Sequence, residues 1–73
     1  MFNMFKGKNT MPSNNIGYII KSKGLKQSWV AEQVGVAETV MSLWVNNKRQ
    51  PNASHLIKLS KVFDIHAEEL FNV

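Results

Sequence analysis

Residues 27–44 constrain this chain more than any other stretch. Val30, Ala31 and Val34 recur at helical spacing, Gly35 follows, and Val36, Val40, Met41 and Trp44 open a second apolar pattern at once. Glycine just past the last periodic residue ends a helix without Cβ strain, because it accepts the left-handed backbone. The pattern predicts two short amphipathic helices, 27–34 and 37–46, joined by a turn of three or four residues. That is the helix-turn-helix arrangement, and in its DNA-binding form the second helix enters the major groove. At 100° per residue, Val40, Met41 and Trp44 fall on the core side of the second helix. Glu38, Thr39, Ser42, Leu43 and Asn46 fall on the other side, the candidate reading face.

The surroundings support a small all-helical domain. Ile16, Ile19 and Ile20 form an i, i+3, i+4 stripe that predicts a helix over 15–23. Ser13 or Asn14 is placed to cap it, and Gly24 to end it. Trp29 lies off the core face of its helix and is expected half exposed, covering a core edge. Asn47 suits a left-handed helix end. After Pro51 a fourth helix, capped by Asn52 or Ser54, carries Leu56, Leu59, Val62 and Phe63. His55 is expected at its surface, near the first turn. A last short helix is expected over 67–71. No strand pattern and no repeat occurs. The expectation is an all-α, compact bundle of five short helices over 14–73, preceded by a flexible arm over 1–13. Phe2, Met4 and Phe5 are unusual for a solvated arm and suggest docking on the domain or on a second chain.

Composition excludes several classes. Seventy-three residues make one small domain. The absence of cysteine rules out disulfides and thiolate metal sites, and suits a reducing cytoplasm. No apolar run nears the roughly 20 residues that span a bilayer, and the start lacks the features of a signal peptide. His55 and His66 are eleven positions apart without a carboxylate cluster, and no serine sits in a Gly-x-Ser-x-Gly elbow. The reading is therefore no enzyme, no catalytic residue, no metal, no cofactor and no evident small-molecule ligand. The net charge of +4 is uneven. Up to Gln50, seven cations face two anions; from Pro51 on, two cations face three anions. A basic excess on the two-helix unit suits a polyanionic partner, and also serves solubility.

Gly24, Leu25, Lys26 and Gln27, then Val30 and Ala31, Gly35 and Val36, Met41, Ser42 and Trp44 stand in an order and spacing that continue through Asn46, Asn47, Lys48, Arg49, Pro51, Leu56, Leu59, Glu69 and Leu70. Together these resemble the Cro/C1-type (XRE-like) helix-turn-helix family of phage repressors and bacterial regulators, over nearly the whole ordered chain. The resemblance implies a lambda-repressor-like DNA-binding domain, a sequence-specific transcriptional repressor in the cytoplasm, at the nucleoid. Its partners would be double-stranded DNA carrying a near-palindromic operator and a second copy in a homodimer. By position it implies that Glu38, Thr39 and Leu43 read base edges, and that Gln27, Ser42, Asn46, Lys48 and Arg49 hold phosphates. The chemistry agrees: Glu38 accepts from a cytosine amine, Thr39 is a short donor or acceptor, and Leu43 suits a thymine methyl. Glu38 also suits the positive end of a helix dipole, and a hydrogen bond from Gln27 to Glu38 is plausible.

Three departures stand out. Lys26 replaces the usual Thr or Ser cap. Asn47 replaces a frequent Gly. Ile20 and Val45 stand where many members pair Arg with Glu, so an ion pair is replaced by two apolar residues, which are expected to touch. The competing reading is a helix-turn-helix module that binds another protein, as an antirepressor or antitoxin partner does. Phe2, Phe5, Trp29, Leu43 and Phe71 would favour it if they formed one exposed patch.

Overall fold

The computed structural model describes residues 13–71. Residues 1–12, which make up nearly all of the expected arm, and residues 72–73 lie outside it. Four α-helices follow in order: α1 (Ile16–Ser22), α2 (Gln27–Val34), α3 (Glu38–Val45) and α4 (Ala53–Phe63). A 3-10 turn, Ala67–Leu70, takes the place of the expected fifth helix. Only four residues separate the end of the Ile65–His66 link from Phe71, which is already extended (φ −121°, ψ 146°) and bridges antiparallel to Asn14. Over that span the bonds run i→i+3, from the Glu69 amide to the His66 carbonyl (2.9 Å) and from the Phe71 amide to the Glu68 carbonyl (3.4 Å). The Glu69 carboxylate reaches back to accept from the His66 amide at 3.0 Å, which fixes the start of the turn.

Each helix ends in the same way for a local reason. Gly24, Gly35, Asn47 and Asp64 all have positive φ (67°, 88°, 57° and 57°). In each case the next residue's amide bonds back to the carbonyl five positions earlier: Leu25 to Ile20, Val36 to Ala31, Lys48 to Leu43 and Ile65 to Ser60, at 2.9–3.0 Å. These are Schellman closures, which normally seat an apolar residue after the left-handed one. Leu25, Val36 and Ile65 do this, packing against the core. The third closure instead presents exposed Lys48.

The core comprises Ile16, Ile19 and Ile20 from α1, Val30, Ala31 and Val34 from α2, Met41 and Trp44 from α3, Leu59 and Phe63 from α4, and Leu70. α2 is central and packs on both α3 and α4; α1 meets α3, and the 3-10 turn meets α4. The chain ends of the domain are tied together by the Asn15 amide on the Leu70 carbonyl, 2.7 Å.

The α1–α3 contact depends on Gly17. A Cβ there would stand 2.9 Å from Val45 Cγ1, and a β-branched side chain has little rotamer freedom to yield. Gly17→Ala is expected to destabilise by about 0.5–2 kcal/mol: overpacking costs about 1–3 kcal/mol, less the 0.5–1 kcal/mol that alanine gains over glycine within a helix. In a Val45→Ala background the same change should become neutral or stabilising. Urea melts of the four-protein cycle measure this coupling.

Candidate nucleic-acid interface

Gly35, Val36 and Ala37 make the turn between α2 and α3. The amides of Gly35 and Val36 both bond the Ala31 carbonyl, at 2.9 and 3.0 Å, which locks the exit from α2. Ala37 is extended and has no side chain to cap α3, and Lys26 leaves α2 without a side-chain cap as well. Both helices thus begin with amides that no side chain satisfies, a feature that attracts anions. Glu38 supplies a negative charge in the first turn of α3.

Burial divides α3 as the periodicity implied. Met41 and Trp44 are fully buried and Val40 half-buried. Glu38 and Thr39 are exposed, Ser42 is half-buried, and Leu43 keeps 37% of its surface in solvent. Thr39, Ser42 and Leu43 stand at i, i+3 and i+4, so they share one face. The amides of Lys48 and Arg49 both reach the Leu43 carbonyl, at 2.9 and 3.3 Å. The fold therefore brings the two exposed cations within one turn of Leu43. Asn46 folds back instead: its Nδ2 donates to the Ser42 carbonyl at 2.9 Å, so one of its amide protons is already used. Gln27 stands elsewhere, half-buried at the start of α2. It lines a groove with Gly17, Ile20 and Val45, and among the described residues no hydrogen bond joins it to Glu38. Ile20 and Val45, the pair expected to touch, line that same groove.

The basic loop is held by a polar network that the sequence did not announce. Asn14 is buried (6% exposed). Its Nδ2 donates to the Trp44 carbonyl at 2.7 Å and to Gln50 Oε1 at 2.9 Å. Its Oδ1 accepts from the Ile16 amide at 3.0 Å, satisfying the first amide of α1 from the residue before the N-cap position, Asn15. Its own amide donates to Asn47 Oδ1 at 2.7 Å, and Gln50 Nε2 donates to the same oxygen at 3.2 Å. The base of α1, the end of α3 and residues 47–50 thus form one hydrogen-bonded unit.

This network gives two left-handed residues opposite predictions. Asn47→Gly should destabilise by about 1–2 kcal/mol, because the part-buried Asn14 amide loses its acceptor. The Asp64 side chain makes no hydrogen bond among the described residues, so Asp64→Gly should stabilise by about 0.5–1 kcal/mol through relief of the left-handed cost. Chemical denaturation of both variants checks the signs.

His55 departs from expectation. It is half-buried, with its ring centroid 4.9 Å from that of Trp44. Its Nδ1 is enclosed without a partner among the described residues. It lines a cavity of about 140 Å3 with Arg49, Gln50 and Asn52. The helix-four cap is Asn52, whose Oδ1 accepts from the His55 amide at 2.9 Å. Trp29 is 43% exposed, as its position on α2 implied. Among the described residues no group of His, Asp and Glu is arranged to hold a metal ion, and no helix is long and apolar enough to cross a membrane.

Comparison with known proteins agrees with this geometry. The Helix-turn-helix family model matches residues 16–70. A candidate DNA-binding protein from Bacteroides fragilis superposes with a TM-score of 0.80 at 32% identity, covering 85% of this chain and all of that one. The P22 c2 repressor, solved in complex with a synthetic operator, gives a TM-score of 0.69 at 26% identity, with 74% of this chain and 82% of that one covered. The N-terminal DNA-binding domain of SinR from Bacillus subtilis gives 0.64 at 32% identity, with 74% and 86% covered. No curated protein sequence matches. With the family pattern spanning every helix described, the chain belongs to the Cro/C1-type (XRE-like) helix-turn-helix family, whose fold is that of DNA-binding regulators.

Proposed function

We propose that this protein is a sequence-specific DNA-binding transcriptional regulator, a small repressor that lays α3 in the major groove. The observation that carries the reading is the exposed face of α3, with Thr39 and Leu43 backed by Lys48 and Arg49 wrapped onto the Leu43 carbonyl. Glu38, Thr39 and Leu43 are the base readers in this proposal. Gln27, Ser42, Asn46, Lys48 and Arg49 grip the backbone, with the uncapped amides of α2 adding to Gln27. The role is regulatory binding and not catalysis. The P22 c2 repressor's complex with its operator supports the reading by similarity of fold.

A homodimer on a near-palindromic operator follows from the same proposal. Two recognition helices must meet successive major grooves about 34–36 Å apart. The proposed contact surface is the loop before α4 together with residues 71–73. Sedimentation showing only monomer, both free and on DNA, would remove the dimer from the proposal.

The test is binding to labelled duplex DNA from around the protein's own gene, against a shuffled duplex, across a salt series. Tight binding to the first alone, weakening steeply with salt, supports combined base reading and phosphate contact. Equal weak binding to both, or none, would overturn the proposal in favour of a protein-binding module.

A further inference from the structure

The surface that the DNA reading leaves largely unused is the groove between α1 and α3. It is a shallow surface groove, open to solvent, of about 600 Å3. Gly17 sits at its floor, where α1 meets Val45; buried Ile20 and half-buried Leu25 and Val45 give it an aliphatic lining, and Tyr18 stands beside it 74% exposed. We propose that this groove seats the chain's own N-terminal segment, with Phe2, Met4 and Phe5 as the side chains that fill it.

Three observations meet here. The segment starts at the groove: Asn14 is pinned by its Nδ2 to the Trp44 carbonyl, one residue before Val45, and Gly17 lies in the first turn of α1. The segment is long enough. Phe5 lies eight positions before Ser13, a reach of up to about 26–29 Å, whereas the groove extends along a helix that rises about 1.5 Å per residue. Finally, the segment has the right chemistry. Three of the chain's four methionines and two of its four phenylalanines precede Ser13, a content unlike that of a solvated tail. Methionine adapts to shallow, irregular apolar surfaces.

A second copy is the competing source of the same segment. The tether decides between them: a short flexible linker gives an effective concentration in the millimolar range, well above that of free protein at micromolar concentration.

The absence of cysteine makes a clean test possible. The full chain carrying Asn3→Cys and Lys21→Cys is oxidised at low micromolar concentration without DNA. A control pairs Asn3→Cys with Lys58→Cys, on α4 outside the groove. The groove pair should close to a monomeric disulfide at least about tenfold faster than the control, and adding Phe2→Ser and Phe5→Ser should erase that advantage. Equal rates for the two pairs, a rate unaffected by the serine changes, or crosslinked dimers in place of monomers would each overturn the proposal. Lys21 and Lys58 are both exposed, so the readout survives whatever the DNA assay returns.

Discussion

Asn14→Ala is expected to lower the stability of the domain by about 2–4 kcal/mol, the largest effect of any single polar substitution outside the apolar core. The side chain makes three hydrogen bonds: to the Trp44 carbonyl, to Gln50 Oε1 and from the Ile16 amide. At about 0.5–1.5 kcal/mol net each, the three bonds sum to about 1.5–4.5 kcal/mol, and the Ile16 amide left without an acceptor at a fully buried residue keeps the loss off the bottom of that range. The Trp44 carbonyl is partly spared because it also accepts from the Asn47 amide at 3.0 Å. A domain of this size holds only about 4–11 kcal/mol in total, so the loss is a large share. Thermal melts should fall by roughly 10–25 °C, and urea melts should move in midpoint with little change in slope. Asn14→Asp should not rescue the variant. It keeps the acceptor for Ile16 but sets a carboxylate against the Trp44 carbonyl and Gln50 Oε1, where two donated bonds stood. A drop of less than about 1 kcal/mol for Asn14→Ala would mean that water replaces the network, and that the loop is not held as described.

That network marks the boundary of what the residue order discloses. The helices themselves were legible, because Ile16, Ile19 and Ile20, or Leu59 and Phe63, recur at helical pitch, and Gly24 and Gly35 stand just past the last periodic residues, where their positive φ ends each helix. The α3 face was legible for the same reason. Asn14 was readable only as a local cap, since its other partners lie 30–36 residues away and no local pattern encodes them. Asn47 was readable as a substitute for glycine, and its φ of 57° agrees. Its side chain as acceptor for two donors was not. His55 is different, because the signal was present: at 100° per residue it lies on the same face as Leu59 and Val62, and the structure turns it onto Trp44. The polarity of its ring masks that periodicity. The fifth helix is present in 3-10 form over Ala67–Leu70, one residue shorter than expected, with Phe71 extended to pair with Asn14.

Substitutions on α3 and on the loop that follows should separate reading from gripping. Thr39→Ala or Leu43→Ala should reduce the ratio of specific to shuffled binding by about 5- to 100-fold, since one base contact is worth about 1–3 kcal/mol of discrimination. Both side chains are solvent-facing on a helix anchored by Met41 and Trp44, so stability should change little. Lys48→Ala with Arg49→Ala should instead weaken both duplexes together and reduce the slope of log affinity against log salt by about 1.8, near 0.9 for each phosphate released. Leu43 makes the comparison informative because its carbonyl holds the backbone of both cations. Removing its side chain leaves those backbone bonds in place, so Leu43→Ala should lose discrimination and keep its salt slope. If Leu43→Ala flattened the slope as well, the side chain would be ordering the loop and the base-reading role would pass to Thr39 and Glu38. If neither set altered the ratio or the slope, the exposed face of α3 would not be the surface that meets DNA.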